Sequence, residues 1–514
     1  MMERAVGWLV WWTALVLAVG AVSTLAQGSR NVPLSHWSYE ILDRFDAKGL
    51  VELNQAHRPY TRRQVADAVR ELQRDVERGD VQLSRADRHW LAKLVHEFDH
   101  ELGVSAPGVV DEPLLETQYS EVYFLADASL AESLLLSNEE RPDYATFLDL
   151  LAAGQLGEGP VFEQTMAVRL TRWDEDTWRK VGRPDQQFWK GATLVLDRGY
   201  WAYDLPWFRV EVGRDQVWWG PGHFGALLIS DESYFFDMVK MDLVLRPVEF
   251  SFFLAELEPG ERRFFSAHRL TVRLPWGFDV GIAEAVLYGA ERPEPLYLNP
   301  LSPYLVAQMV RGRDDQILWS VDLSWQALDG VRLYGEFLID DWQYEKDPPV
   351  MPDKFGYLAG CYLADPLGLQ DTDVRCEYAR LDKWVYTQEQ IENTYEHRGA
   401  IIGHELGPDA DRLDIEMEHR LLPFLGIEAG YRATRHGEGD VHLPFEIERG
   451  TAFPPFPSGI VERKDALWLG GWAEVGARLD LAAEGSWQGT KNPDHDDGAY
   501  ASEWLARFWV RLDF

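Results

Sequence analysis

Cysteine is nearly absent: the 514 residues contain two, Cys361 and Cys376. A disulfide framework and a thiolate metal centre are therefore excluded as organising principles. Nothing in the sequence brings the two thiols together. Positive charge is also scarce, with Lys+Arg totalling 50 against 85 Asp+Glu and a net charge of −35. So acidic a chain repels phosphate backbones, which removes nucleic acid from the partners to be considered. Beyond the first residues, no run reaches the roughly 18 uninterrupted apolar residues that a helical membrane span requires. No cofactor is expected. No nucleophile motif stands out among the carboxylates, so a glycan-cleaving enzyme has only their abundance in its favour.

Aromatic residues, by contrast, are plentiful at 13%, with 22 tryptophans, while the mean hydropathy stays negative. Such a chain is too aromatic for disorder. It suits a protein that meets lipid on one side and water on the other. At the N-terminus, Arg4 precedes "AVGWLVWWTALVLAVGAV", and "STLAQ" follows with Thr24 and Ala26 in a small-residue cleavage pattern. Residues 1–26 read as a signal peptide, which sends the remainder beyond the inner membrane.

Residues 30–75 carry two short helical patterns. Ser35 is a plausible N-cap for a first helix with Trp37, Ile41, Leu42 and Phe45 on one stripe, and Gly49 closes it. Thr61 caps a second helix bearing Val65, Val69 and Leu72. The stretches "HWSYE" and "TRRQ" resemble the helix openings of S-layer homology domains. That resemblance implies a grip on a cell-wall polymer through Trp37, Thr61 and Arg62, with Arg63 and Gln64 departing from the family pattern. An amphipathic linker helix is expected over 76–105. It contains the literal metalloprotease motif His96-Glu97-Phe98-Asp99-His100. Asp99 and Glu101 place excess charge beside it, no third ligand follows at a familiar spacing, and no metal is assigned. The pattern "LVHEFDHEL" resembles the helix that links wall-binding modules to porin-like barrels.

From residue 110 to 514 the rhythm changes to a period of two. Trp319, Val321, Leu323 and Trp325 alternate with Ser320, Asp322, Ser324 and Gln326. After "ALDG", Val331 to Ile339 alternate with Arg332 to Asp340. The chain ends on "EWLARFWVRLDF", with Trp504, Ala506, Phe508, Val510, Leu512 and terminal Phe514 on one face, which resembles the closing strand of outer-membrane barrels. Lipid demands closure of the sheet. At roughly 22 residues per strand and connection, the length predicts on the order of 18 strands. The fold class is thus mainly β: a large antiparallel transmembrane β-barrel behind a small α-helical module. Segments 174–187, 340–373 and 434–459 read as loops or plugs.

"WFRVEVGRD" reads as a barrel strand, Val217–Gly222 as its end and turn, and "ALLIS" as the wall resuming. Within this stretch Trp218 and Trp219 offer platforms for sugar C–H faces, and Arg214, Asp215, Gln216 and His223 offer directional hydrogen bonds. The competing reading places both tryptophans in an interfacial aromatic belt. "VGRDQVWWGPGHFGALLIS", "YLNPLSPY" and "IIGHELGPDADRLDIE" resemble three successive motifs of the Wzi-type capsule-assembly family. The resemblance implies an outer-membrane barrel that holds capsular or exopolysaccharide at the cell surface as a lectin, with its helical part in the periplasm. The partners it implies are that polysaccharide, a cell-wall polymer and outer-membrane lipid. A wall-tethered porin passing sugars or small solutes is the alternative.

Overall fold

The computed structural model of the chain describes residues 28–103, 113–119, 121–138, 143–157, 159–171, 187–189, 192–258, 260–342, 351–445 and 453–514. The signal peptide of the sequence reading lies outside them, as does the 174–187 loop apart from Gln187.

Eighteen antiparallel strands close the barrel. They are β1 Val122–Ser137, β2 Asp143–Leu156, β3 Val161–Thr171, β4 Ala192–Leu205, β5 Phe208–Asp215 and β6 Phe236–Leu245. Next come β7 Val248–Leu257, β8 Arg263–Leu274, β9 Phe278–Gly289, β10 Gln316–Leu328, β11 Val331–Asp341 and β12 Lys354–Ala364. The wall is completed by β13 Thr372–Leu381, β14 Ala410–Leu422, β15 Leu425–His436, β16 Glu462–Val475, β17 Leu479–Lys491 and β18 Tyr500–Asp513. Closure pairs Leu505–Asp513 of β18 with Ser137–Ser129 of β1, and no backbone edge is then left to lipid.

The period of two decides which residues face out. On β10, Trp319, Val321 and Leu323 are exposed on the barrel exterior, whereas Ser320, Asp322 and Ser324 are buried within. On β18, Trp504, Phe508, Val510 and Leu512 are exposed. The sequence reading missed one strand. β12 occupies the middle of the expected 340–373 loop, because Leu358 and Tyr362 on its inner face pack against protein and carry no polar alternation.

Short turns such as Pro206-Trp207, Arg246-Pro247 and Asp329-Gly330 join strands at one end, and the long connections 216–235, 290–315 and 382–409 leave from the other. The N-terminal module seals the short-turn end. It comprises α1 Ser38–Ala47, α2 Arg62–Arg78, α3 Arg85–Glu97 and α4 Asp99–Leu102. Trp90, Leu91, Leu94 and Phe98 share one core with Val65, Val69 and Leu72, so the expected linker helix is part of the module. The first helix begins three residues past the expected Ser35 cap, with Trp37 at its N-cap. Thr61 caps α2 in a reciprocal box, its hydroxyl accepting from Gln64 N–H at 3.1 Å and Gln64 Oε1 accepting from its own N–H at 2.7 Å.

Buried Arg44 rivets this module to the barrel. Its guanidinium donates to Asp87 of α3 at 2.8 Å, to Asp365 at 2.7 Å and to Asp373 of β13 at 2.5 Å. Burial pushes the Asp87 carboxyl up, but Arg44 and Lys48 outweigh it and hold its pKa at about 2. In the metalloprotease-like stretch the helix breaks at Phe98, and Glu97 and Glu101 both pair with Arg62 at 2.6 and 2.8 Å. Arg62 also lies 4.6 Å over the Phe98 ring. The Trp37 ring lies tilted against Trp90, their centroids 5.9 Å apart. The three residues expected to hold a wall polymer are thus engaged inside the module.

Candidate functional site

β5 leaves the wall early. It ends at Asp215, and the chain turns into the lumen rather than continuing upward. "ALLIS" does not resume the wall: Ala226–Ile229 are fully buried inside, and the wall returns at Phe236. The reason is visible in the hydrogen bonds. Glu336 of β11 accepts the N–H groups of Leu227 and Leu228 at 2.8 and 3.2 Å, and Glu377 of β13 accepts those of His223 and Phe224 at 2.7 and 3.2 Å. A backbone crossing a barrel interior needs partners that a strand ladder no longer supplies, and these inward carboxylates provide them.

The connection 382–409 completes the plug. Tyr386 Oη donates to Leu227 O at 2.5 Å, Tyr395 Oη to Leu228 O at 2.9 Å, and Ser230 Oγ to Gly403 O at 2.6 Å. Around them Phe236, Phe253, Phe265, Leu318, Leu338 and Leu358 form an apolar core against the β6–β13 side of the barrel. From the opposite end the module reaches in. His57 and Arg58 pair antiparallel with Trp219 and Trp218, and Gly220 N–H donates to Ala56 O at 3.1 Å.

The six expected sugar contacts therefore separate. Trp219 is 0% exposed and Trp218 7%; Trp218 Nε1 donates to Gly220 O at 2.8 Å. Neither indole presents a free face, and neither stands in an aromatic belt, because both build the plug. Period-two alternation puts Asp215 inside, bound to Arg198 at 2.7 Å and to Asn31 at 2.7 Å. Arg214 points to the exterior, where it forks onto Asp237 at 2.7 and 2.6 Å. Gln216 and His223 remain half-buried.

The other side of the lumen is wet. On β15–β18 the inward residues Arg432, Trp468, Glu484 and Gln488 are half-exposed, and Arg507 is exposed. They alternate with lipid-facing Leu467, Leu469, Trp487 and Trp504. A Cβ at Gly430 would collide with the Trp468 ring, so this glycine lets the indole lie across the sheet instead of standing off it. The Arg432 guanidinium sits 6.0 Å from the Trp468 centroid and is held by Asp414 at 2.5 Å. A half-exposed aromatic beside a fixed guanidinium and an amide is the surface a polyhydroxylated ring requires. This group is not among the sequence expectations, although the spacing Gly430-x-Arg432 on one strand carries a signal: an inward glycine within a polar face.

A model of the capsule assembly protein Wzi family matches residues 117–503. The chain belongs to the Wzi family. Among solved structures it is similar to Escherichia coli Wzi, described as an outer membrane carbohydrate-binding β-barrel involved in group 1 capsule assembly. The TM-score is 0.64 at 13% identity, covering 95% of this chain and 100% of that one. Pseudomonas aeruginosa OprD gives a TM-score of 0.45 at 9% identity over 79% of this chain and 98% of that one. Pseudomonas aeruginosa OpdK with vanillate gives 0.47 at 10% identity, over 76% and 98%. No curated protein matches the chain. As a Wzi-family barrel the protein resides in the outer membrane and serves capsule assembly. Two of the family-like motifs, "VGRDQVWWGPGHFGALLIS" and "IIGHELGPDADRLDIE", meet in the plug, while "YLNPLSPY" folds elsewhere.

Proposed function

We propose that this Wzi-family barrel holds capsular or exopolysaccharide on the hydrated side of its lumen, along β15 and β16. Short turns face the periplasm and long loops the exterior in outer-membrane barrels, so the helical module lies in the periplasm and Trp468 stands midway along β16. The observation that carries the reading is the Trp468–Arg432 pair: a flat, half-exposed indole beside a guanidinium that Asp414 keeps in place. In a −35 chain, that local cation offers an acidic glycan one of its favourable entries. His223 and Gln216 are half-buried at the plug and are the remaining candidates for a second contact. The plug's role is to support this surface, not to bind sugar through its tryptophans.

The test is retention of labelled capsular polysaccharide on cells and on purified protein. Trp468→Ala is expected to lower retention while heat-modifiable migration stays intact; unchanged retention would refute the assignment. The wet side of the lumen also keeps a solute path in view, and planar-bilayer conductance reads it directly. On the periplasmic side, Trp37, Thr61 and Arg62 make contacts within the module yet stay half-exposed, and a wall polymer would meet their remaining faces. Co-sedimentation with purified cell walls checks that contact.

A further inference from the structure

The connection 290–315 leaves the top of the barrel and folds down its outside. Its helix α5, Tyr304–Arg311, follows "YLNPLSPY". Tyr297, Tyr304 and Ala307 pack in one buried cluster with Phe264, Val286 and Tyr288. Those wall residues share the outward face of β8 and β9 with lipid-exposed Leu270 and Ile282. Two polar groups on that face, Glu284 and His268, would be costly against lipid. Both are covered: Glu284 accepts the N–H groups of Tyr304 and Leu305 at 2.8 and 3.1 Å, and lies 3.2 Å from His268 Nε2. The first-turn donors of α5 thus find a partner on the wall, as a helix at membrane depth demands.

The opposite face of this connection is apolar and bare. Val310 is 72% exposed and Met309 66%, with Leu301, Leu305 and Val306 beside them. On an ordinary wet loop such a patch would be a liability. Here it is continuous with the barrel's lipid-facing surface, at the level of exposed Trp319, which stands opposite Glu284 in the β9–β10 register.

We propose that α5 is an interfacial anchor whose exposed face is covered by acyl chains of the outer leaflet. The barrel thereby gains a lipid contact beyond its strands, which fixes its depth and rotation on the β8–β10 side. The anchor is independent of whether the lumen binds polysaccharide.

The test places an environment-sensitive fluorophore at Met309→Cys in the full-length protein carrying Cys361→Ala and Cys376→Ala, reconstituted in phospholipid bilayers with or without nitroxide-labelled acyl chains. The expected result is blue-shifted emission that the lipid-borne nitroxide roughly halves, while a label at Leu443→Cys on the 437–461 loop is unaffected. Water-like, unquenched emission at 309 overturns the proposal. Protection from both lipid and aqueous quenchers, together with disulfide-linked dimers of Met309→Cys, also overturns it and assigns the face to a second copy.

Discussion

His57 of the N-terminal module and Trp219 of the lumenal plug stand opposite each other in a two-residue antiparallel ladder. Through it the helices at the short-turn end and the segment crossing the lumen form one hydrogen-bonded body. Trp219 carries that body's packing, edge-on to Phe253 at a centroid distance of 5.3 Å. Trp219→Ala should cost the plug about 3–5 kcal/mol. The barrel itself should still insert, since its ladders are untouched. Single-channel recording checks this: the variant is expected to open larger steps than the parent.

Glu336 serves the plug differently, by satisfying backbone donors. In Glu336→Leu the N–H groups of Leu227 and Leu228 lose their acceptor while remaining buried, a loss of about 2–4 kcal/mol for the two. Hydrogen exchange should accelerate across 223–230 and stay slow in β11. Equal exchange in both proteins would mean that the carboxylate is dispensable.

The Gly430 position makes a steric prediction. Gly430→Leu puts a side chain where the Trp468 indole rests and should displace the ring while β15 and β16 stay paired. Polysaccharide capture is expected to fall about as far as in Trp468→Ala, roughly tenfold. Circular dichroism of the folded barrel should be unchanged.

Acid should loosen the module before the barrel. Burial holds the His36 pKa down at about 4, despite Glu97 nearby. A folded-state pKa below the unfolded value means that the unfolded chain binds more protons, so stability is full above the unfolded pKa and falls as pH drops toward 4. Between pH 7 and 5 the loss amounts to about 1–2 kcal/mol. Asp87, with its pKa held at about 2, adds a further loss only at lower pH, as its carboxyl protonates below the usual carboxylate range. Protection factors in α1 and α2, corrected for the intrinsic pH dependence of amide exchange, should fall from pH 7 to 5, and His36→Gln should remove most of that slope.

Much of the architecture was legible because lipid and water enforce alternation. β10, β11 and β18 face as their side chains read, and chain length alone approached the strand number. Legibility failed where protein replaced water inside. β12 reads as loop because Leu358 faces the plug and Tyr362 faces Ala47 of the N-terminal module instead of a wet lumen. "ALLIS" looked like wall because a buried plug and a strand are equally apolar. The double tryptophan marked a special place, but no local pattern distinguishes an indole facing sugar from one facing Phe253. Arg214 and Asp215 were separable from the start, since adjacent strand residues point to opposite faces. Trp468 went unnoticed because its meaning depends on Gly430, a neighbour only through strand pairing.

If the remaining wet face of the filled barrel holds the glycan, the deciding quantity is the capsular-polysaccharide affinity of purified protein in lipid discs, for the parent, Trp468→Ala and Leu443→Ala. Trp468→Ala is expected to lose about tenfold in affinity while Leu443→Ala matches the parent. Equal affinity in all three proteins, or none in the parent, would contradict it.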